Sequence, residues 1–381
     1  RNRRWSRTAC GSPGREKEQA LMAARHASEW ELMRFDDDFE GTIRLNEPMA
    51  RHTTYRIGGP ARAFVEVNSI AALGAILKVC ADEQLPWFIT GKGSNLLVSD
   101  EGYDGVVITL AGDFRAWRFD DEVQHVVVGT GTMLSRLVQE VFHHGYSGME
   151  FAVGTPGTVG GALVQNAGTR NDWMGSRVVS VTAYNAQTGL KRYVASDLTW
   201  GYRSSSFLPN EVLVECELKL ERAFSGNIHE RMTSLLARRK ASQPLDYPSC
   251  GSVFRNPEQG SAGALIEEAG LKGKACGGAC ISEKHANFIV NTGDATYEDI
   301  LELIDYTNNI LRKFPKSETF ALVKECKNTL YSGLRLLIYA IKTFQKQDKI
   351  KYLNELDTNL RIMKIHIRLS YKYRFISMQN Y

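Results

Sequence analysis

Short apolar runs and helical patterns alternate along the chain between residues 61 and 222. Two stretches, 71–80 and 134–142, repeat apolar residues at helical spacing and predict amphipathic helices. Six runs are rich in β-branched and aromatic residues, which predicts strands over 64–67, 87–90, 106–110, 123–128, 178–184 and 213–220. The alternation predicts an α+β fold with mixed sheets for this part of the chain.

A second, smaller α+β unit is predicted over residues 223–323. Thr296 and Asp299 have the spacing of a capping box, which places the start of its last helix. The predicted elements are a helix with an apolar face through Ile228, Met232 and Leu235, helices over 262–269 and 297–312, and a strand over 287–290.

The two ends of the chain differ from the middle. Residues 1–45 are interpreted as an N-terminal extension around a short helix, and its Arg-rich, Ser-containing start leaves a plastid-targeting remnant as the alternative to a cytoplasmic protein. Residues 324–381 form an atypical basic tail, which has no Val and no Pro after Cys326. An apolar helix face through Leu330, Leu334 and Leu337 would suit a partner, but a non-native or alternatively spliced terminus is the favoured interpretation.

Charge and cysteine content exclude several classes of protein. The net charge of +4 comes from the ends, since residues 1–15 carry +5 and residues 324–381 carry +8, which leaves −9 for residues 16–323. An acidic body argues against nucleic-acid binding. Seven scattered cysteines suggest reduced thiols. No run of 18 apolar residues exists, so no membrane span is expected. We also expect a monomer.

Three segments place glycine and small polar residues between apolar runs. The richest covers 148–168 and includes Gly154, Gly157, Gly160 and Gly161, which can take positive φ and have no Cβ. The other two cover 89–98 and 53–61. Backbone N–H groups in such loops can converge on an anion such as a pyrophosphate, although a glycine-rich loop without a ligand is the alternative.

Together with 251–257 and 277–282, these segments closely resemble the family of UDP-N-acetylenolpyruvoylglucosamine reductases. The resemblance runs from about Asn46 to about Phe314 and is closest to the shorter subtype, because no extra loop interrupts Tyr202-Arg203. It implies a two-part FAD-binding domain of the vanillyl-alcohol-oxidase (PCMH) type over 46–222. It also implies a substrate-binding domain over 223–323.

The resemblance further implies the reaction and its cofactors. In this family NADPH reduces FAD, and the flavin delivers hydride to UDP-N-acetylglucosamine enolpyruvate, which gives UDP-N-acetylmuramate for peptidoglycan. The FAD contacts that it implies are Tyr55, Arg56, Ile57, Gly58, Gly91, Lys92, Gly93, Ser94, Asn95, Leu96, Gly154, Thr155, Pro156, Gly157, Thr158, Val159, Gly160, Gly161, Ala162, Asn166, Ala167 and Gly168.

Two catalytic residues are implied by their match to the family. Ser252 matches the serine that donates a proton, and Arg203 matches the arginine that polarises the substrate carboxylate. A guanidinium group fits a carboxylate through two hydrogen bonds, which Lys cannot reproduce. The implied substrate contacts are Tyr202, Arg239, Lys240, Arg255 and Asn256.

The family's third catalytic group, a glutamate in a closing strand, has no clear counterpart. The family reads Phe-Gly, an apolar strand and Glu-Val, whereas here Phe314 is followed by Pro315. Glu318 and Glu325 are the candidates, although neither has the expected spacing.

Other functions compete with this hypothesis. Another oxidase or dehydrogenase of the same flavin-binding superfamily would lack the Ser252 loop and the second unit. A flavin-binding pseudoenzyme or an interaction protein is the alternative from another class, and the missing glutamate favours it. Cys276, Cys280 and His285 are spaced C-x3-C-x4-H, but zinc sites pair C-x2-C units more regularly, so no metal is expected.

Overall fold

The computed structural model describes residues 38–169, 171–258, 260–313, 347–348, 350–358 and 360. The chain divides into two compact units, Arg1–Cys250 (unit 1) and Gly251–Tyr381 (unit 2). Both units combine helices with sheets, which confirms the predicted α+β class.

Unit 1 contains the longer elements, and all six predicted strands and both predicted helices of the region 61–222 are present in it, with bounds shifted by a few residues. Its strands are β1 (Gly41–Pro48), β2 (Pro60–Val67), β3 (Trp87–Ile89), β4 (Tyr103–Leu110), β5 (Trp117–Asp120), β6 (His125–Gly129), β7 (Tyr146–Ser147), β8 (Val178–Asn185), β9 (Gly189–Val194), β10 (Trp200–Gly201), β11 (Ser204–Ser205), β12 (Val212–Lys219) and β13 (Glu221–Arg222). Its helices are α1 (Ile70–Asp82), α2 (Leu134–His143), α3 (Val159–Val164), α4 (Met174–Arg177) and α5 (Ser225–Ser242).

The first sheet of unit 1 has the strand order β1-β2-β4-β3. β1 is antiparallel to β2, whereas β2, β4 and β3 run parallel, with α1 connecting β2 to β3. Ser69 begins α1, because its Oγ accepts a hydrogen bond from the Ala72 N–H at 3.2 Å. β1 starts at Gly41, so residues 41–45 belong to this sheet rather than to an extension.

The second sheet is antiparallel, in the order β5-β6-β12-β8-β9. Apolar residues of α2 and α3 pack with those of β6, β8 and β12 in one core, in which Leu134, Leu137 and Leu163 are fully buried. The glycine-rich segment that precedes α3 is therefore attached to a rigid core at its C-terminal end.

Helix α5 belongs to unit 1 in the structure, although the sequence assigned it to the second unit. Ile228 is buried, and Met232 packs against the core of the second sheet. The apolar face that predicted the helix is thus used within unit 1, and the division between the units falls after Cys250.

The described residues of unit 2 include one small antiparallel sheet, ordered β14-β15-β16. The predicted capping box is confirmed, because Thr296 Oγ1 accepts from the Asp299 N–H at 3.2 Å and Asp299 Oδ2 accepts from the Thr296 N–H at 2.9 Å. The elements are β14 (Ala275–Cys276), β15 (Ala279–Ile281), β16 (Ile289–Asn291), α6 (Ala262–Glu268) and α7 (Tyr297–Lys313).

A small part of the basic tail lies among the described residues, and residues 347–348, 350–358 and 360 are helical. The predicted apolar face at Leu330, Leu334 and Leu337 lies outside the described residues, as do Glu318 and Glu325. Within the described ranges, no helix is both long enough and apolar enough to cross a bilayer.

Candidate functional site

The three glycine-containing segments of unit 1 lie against one another. In chain order the three segments are 53–61, 89–98 and 148–168. A Cβ atom on Gly93 would lie 2.9 Å from Thr53 Cα, so the second segment packs directly on the first. A Cβ atom on Gly91 would lie 2.5 Å from Thr158 Oγ1, so the same segment also meets the third. The fold therefore brings all three to one place.

Positive φ is confined to part of the richest segment. Gly154 and Gly157 have φ angles of 68° and 115°, which favour glycine. Gly160 and Gly161 lie instead in the first turn of α3, where Thr158 Oγ1 accepts from the Gly161 N–H at 3.3 Å. The expectation that all four glycines supply unusual backbone conformations is thus met at two of them, because a helix begins at Val159.

Two backbone N–H groups border an open space between the segments. The N–H groups of Ser94 and Gly157 donate to no other group in the part of the chain that the structure describes. A Cβ atom on Gly157 would meet only Ser94 Oγ, at 3.2 Å, within a radius of 4 Å. Donors without a protein partner in two adjacent glycine-containing segments can bind an anion, so these residues fit the pyrophosphate of a dinucleotide such as FAD.

The first segment turns its apolar side chains inward. Tyr55 and Ile57 are 1% and 2% exposed, so their side chains face the protein interior. The Tyr55 hydroxyl interacts with the Cys250 thiol, and burial raises the pKa of Tyr55 far above its usual range. The Thr54 hydroxyl donates to the Ser249 carbonyl oxygen at 2.7 Å, so the end of unit 1 is fixed to this segment.

A cavity of about 610 Å³ opens beside the first two segments, within unit 1. Three cationic side chains, Arg51, Arg56 and Lys92, line it together with Asp246 and Tyr247. Positive charge with one aromatic ring suits an anionic ligand that carries a planar group. Of the expected cofactor contacts, Arg56 and Lys92 therefore have exposed side chains at a cavity.

The last three expected cofactor contacts serve protein structure. Asn166 accepts from the Gly175 N–H and donates to the Gly201 carbonyl oxygen, both at 3.0 Å. Ala167 is buried, and a Cβ atom on Gly168 would lie 2.4 Å from Trp173 Cα. Asn166 therefore supports the hairpin of β10 and β11, whereas Gly168 packs against Trp173.

Arg203 lies in the two-residue turn between β10 and β11. Its φ of 56° is uncommon for a residue with a side chain, and such strain is typical of functional sites. Its side chain is exposed, and the guanidinium carbon lies 5.9 Å from the centre of the Tyr202 ring. The turn thus presents an arginine on a firmly held hairpin.

Arg239 reaches the glycine-rich segment from α5. Its guanidinium group donates to the Val153 carbonyl oxygen at 3.1 Å and to Thr155 Oγ1 at 2.7 Å. Burial lowers the pKa of Arg239, and the charge of Arg203 lowers it further. The two guanidinium groups are therefore close enough to repel, and an anion beside them would be stabilised by both. Lys240, the neighbouring candidate, is exposed.

Ser252 is exposed in unit 2, beside Gly251, whose φ is 82°. Asn256 Oδ1 accepts from the Ala262 N–H at 3.0 Å and so helps to begin α6. Arg255 is exposed. The sequence assigned Arg255 and Asn256 to substrate binding. The Arg255 side chain is accessible in the structure, whereas the Asn256 side-chain oxygen is bonded within the protein.

The structure adds Asn287, to which the sequence assigned no role. Asn287 is 3% exposed, and its side-chain amide both accepts from and donates to the backbone of Phe254, two residues after Ser252, at 2.8 Å in each case. The sequence offered a sign that Asn287 has a special role, because it is a polar residue in a predicted strand that is otherwise apolar. His285 Nδ1 accepts from the Asn287 N–H at 3.2 Å.

Comparisons with known proteins agree with the resemblance seen in the sequence. Residues 61–190 match a family described as FAD binding domain, and residues 243–315 match the C-terminal domain of UDP-N-acetylenolpyruvoylglucosamine reductase. A curated reductase of this name, number 2 of Symbiobacterium thermophilum, is 42% identical over 274 residues, which is 72% of this chain and 88% of the relative. The one from Chlamydia trachomatis serovar A is 39% identical over 291 residues, which is 76% of this chain and 97% of the relative.

A solved structure supports the same relationship. The crystal structure of UDP-N-acetylenolpyruvylglucosamine reductase from Thermus caldophilus has a TM-score of 0.63 and 37% identity to this chain, and it covers 71% of this chain and 95% of that one.

The tail matches a different family. Residues 296–381 match a family described as bAvd-like, and this match overlaps the last helix of the reductase-like part. The change in composition after residue 323 therefore falls within a second recognisable sequence family.

Proposed function

The chain belongs to the family of UDP-N-acetylenolpyruvoylglucosamine reductases, and on this premise we propose that it uses NADPH to reduce UDP-N-acetylglucosamine enolpyruvate to UDP-N-acetylmuramate. It is an FAD-dependent oxidoreductase of peptidoglycan precursor synthesis. The observation that carries the proposal is the convergence of three glycine-containing segments around unpaired N–H groups in unit 1. A cytoplasmic location and a monomeric state stay predictions.

We assign FAD to these segments of unit 1. The N–H groups of Ser94 and Gly157 would bind the pyrophosphate, and Arg56 and Lys92 would add positive charge beside it. Tyr55 and Ile57 would contribute through their backbone, because their side chains are buried. When bound, FAD accepts the hydride of NADPH and supplies it to the enolpyruvyl group.

We assign recognition of the substrate carboxylate to Arg203. Its guanidinium group can form two hydrogen bonds to a carboxylate, which would stabilise the negative charge that develops when hydride adds to the terminal carbon. Arg239 would add a second positive charge, and its bonds to Val153 and Thr155 fix its direction. Tyr202, Lys240, Arg255 and Asn256 are the further substrate contacts that we propose.

Proton transfer is the task that we assign to Ser252. Hydride addition leaves a carbanion beside the carboxylate, and the Ser252 hydroxyl, which is exposed, can donate its proton to that carbon. A serine is a weak acid, but a carbanion is a stronger base. The proton and the hydride together saturate the double bond.

Rapid-mixing kinetics of the Ser252→Ala variant test this proposal. Reduction of bound flavin by NADPH should proceed at nearly the unmodified rate, whereas substrate reduction should slow by at least ~10²-fold, the usual contribution of a proton donor. Release of flavin on denaturation checks the cofactor. A folded protein that takes up no FAD would remove the basis of the proposal.

A further inference from the structure

The backbone that follows Ser252 is held by one buried side chain. Asn287 Oδ1 accepts from the Phe254 N–H at 2.8 Å, and Asn287 Nδ2 donates to the Phe254 carbonyl oxygen at 2.8 Å. The Asn287 main-chain carbonyl also accepts from the Val253 N–H, at 2.9 Å. The two residues after Ser252 are therefore bonded to Asn287 as an additional strand would be.

The support of Asn287 is itself rigid. It lies two residues before the first residue of β16, and the Ser282 N–H donates to the Phe288 carbonyl oxygen at 2.8 Å, which closes the turn around it. His285 Nδ1 accepts from the Asn287 N–H, so the residue is fixed through both its backbone and its amide. An asparagine that is 3% exposed and uses both amide atoms has only one stable orientation.

We infer that Asn287 is a positioning residue that fixes the loop of the proton donor Ser252 through the backbone of Phe254. The inference rests on the proposed role of Ser252. An exposed serine next to a glycine with positive φ has several accessible orientations, so its hydroxyl needs a constraint from its own loop. Small displacements of a reacting group lower rates strongly, which makes such a constraint valuable.

Asn287→Asp is the variant that tests this role, with Asn291→Ala as control. An aspartate keeps the acceptor for the Phe254 N–H but places a carboxylate oxygen against the Phe254 carbonyl. Asn291, the last residue of β16, has the same residue type and the same 3% exposure, and its Oδ1 accepts from the Gly293 and Ala295 N–H groups. It therefore controls for the general cost of altering a buried asparagine.

The first measurement is hydrogen exchange of the backbone amides of 252–256. Asn287→Ala and Asn287→Asp should raise exchange in this peptide by about tenfold or more relative to Asn291→Ala, since protection follows local opening. Unchanged protection in both Asn287 variants would overturn the inference, whatever the activities of the variants.

The second measurement is a double-mutant cycle on the holoenzyme by rapid mixing. Asn287→Asp should slow substrate reduction by about tenfold or more and leave flavin reduction by NADPH within about twofold, because only the proton transfer depends on Ser252. In the Ser252→Ala background the same change should have no further effect on substrate reduction. Equal slowing in both backgrounds, or equal slowing of both half-reactions, would overturn the inference.

The outcomes also separate this inference from the proposed function. If Ser252→Ala leaves substrate reduction unchanged, the assignment of Ser252 fails and the inference fails with it. This holds even if hydrogen exchange shows that Asn287 protects the loop. If Ser252→Ala slows substrate reduction and Asn287→Asp does not, the assignment stands and the positioning role of Asn287 is wrong.

Discussion

Tyr55 connects the first glycine-containing segment with the end of unit 1, because its buried hydroxyl interacts with the Cys250 thiol. Tyr55→Phe should lower the free energy of unfolding by less than about 1 kcal/mol, because a thiol is a weak hydrogen-bonding partner for the hydroxyl. Flavin affinity should stay unchanged, since the ring faces the interior. Urea denaturation and flavin titration measure the two effects.

Thr54→Val is the matched variant, because it removes the neighbouring bond to the Ser249 carbonyl. It should lower the free energy of unfolding by about 1 kcal/mol, the usual net contribution of one hydrogen bond. Weaker flavin binding by Tyr55→Phe at unchanged stability would show that the side chain contacts the cofactor after all.

His285 makes the stability of unit 2 depend on pH. Burial is the main cause that lowers the pKa of His285 below its ordinary value of 6.5, Lys272 acts in the same direction, and Glu267 opposes them. The folded state thus binds this proton less readily than the unfolded chain. The stabilisation is complete above about pH 6.5 and is lost as pH falls toward the folded pKa.

Chemical denaturation at about pH 7.5 and about pH 5.5 tests this dependence. The free energy of unfolding of the unmodified protein should be lower at the lower pH. The decrease should be smaller in His285→Gln, which cannot titrate but can still accept a hydrogen bond from the Asn287 N–H. An identical pH dependence in the two proteins would show that other groups cause it.

At the scale of elements, the glycine-rich segment depends on Gly157. Gly157→Val should abolish flavin uptake, because a β-branched side chain resists a φ of 115° and fills the space beside Ser94. Gly189 is the control, since its φ of 76° at the first residue of β9 is also positive and a Cβ atom there would meet nothing within 4 Å.

Gly189→Val should therefore carry a comparable backbone cost without loss of flavin. Flavin retained per folded protein after gel filtration distinguishes the two variants. Equal loss in both would mean that strain, and not occupation of the ligand space, removes the cofactor.

In the hairpin of β10 and β11, Arg203 adopts a positive φ that is strained for a residue with a side chain. Arg203→Gly should raise the free energy of unfolding by about 1 kcal/mol, because glycine adopts positive φ without strain. Substrate reduction should slow strongly at the same time, whereas flavin content should not change. A destabilised Arg203→Gly variant would show that the side chain stabilises the fold more than its conformation costs.

Local patterns explain which elements were predictable. Helix α7 and its capping box depend on residues close in sequence, so Thr296 and Asp299 sufficed to place its start. Strand β1 was missed because its pairing with β2 depends on residues about twenty positions away. Gly160 and Gly161 lie in the first turn of α3, where Gly160 packs against Thr130, a contact that the sequence alone does not show.

For the candidate site as well, local sequence patterns predicted only part of what the structure shows. Motifs identified Ser252, Arg203 and the glycine-containing segments as chemically suited residues. They could not show that Tyr55 points inward, that Asn166 supports a hairpin, or that Asn287 holds Phe254, because each of these roles depends on contacts made only in the folded chain. Burial of side chains is decided by tertiary packing.

In the whole molecule, the match to the reductase family and the match to a second family overlap at α7. The reductase match ends at residue 315, and the bAvd-like match runs from 296 to 381. The closing glutamate that the family resemblance implies would follow Phe314, in the part of the chain where the second match replaces the first. The tail therefore lies where the resemblance would place the closing glutamate.

Replacing the residues from Pro315 onward with glycine, an apolar strand and a Glu-Val ending should raise the rate of substrate reduction by about 10²-fold, because one missing charge-stabilising group costs about 3 kcal/mol. Flavin affinity should barely change, since the glycine-containing segments lie in unit 1. Deletion of residues 324–381 is the control, as it removes the tail without supplying a glutamate, and it should not raise the rate. If the chain with its own tail already equals the repaired variant, then Glu318 or Glu325 supplies the missing carboxylate, and Glu318→Gln and Glu325→Gln would identify which one.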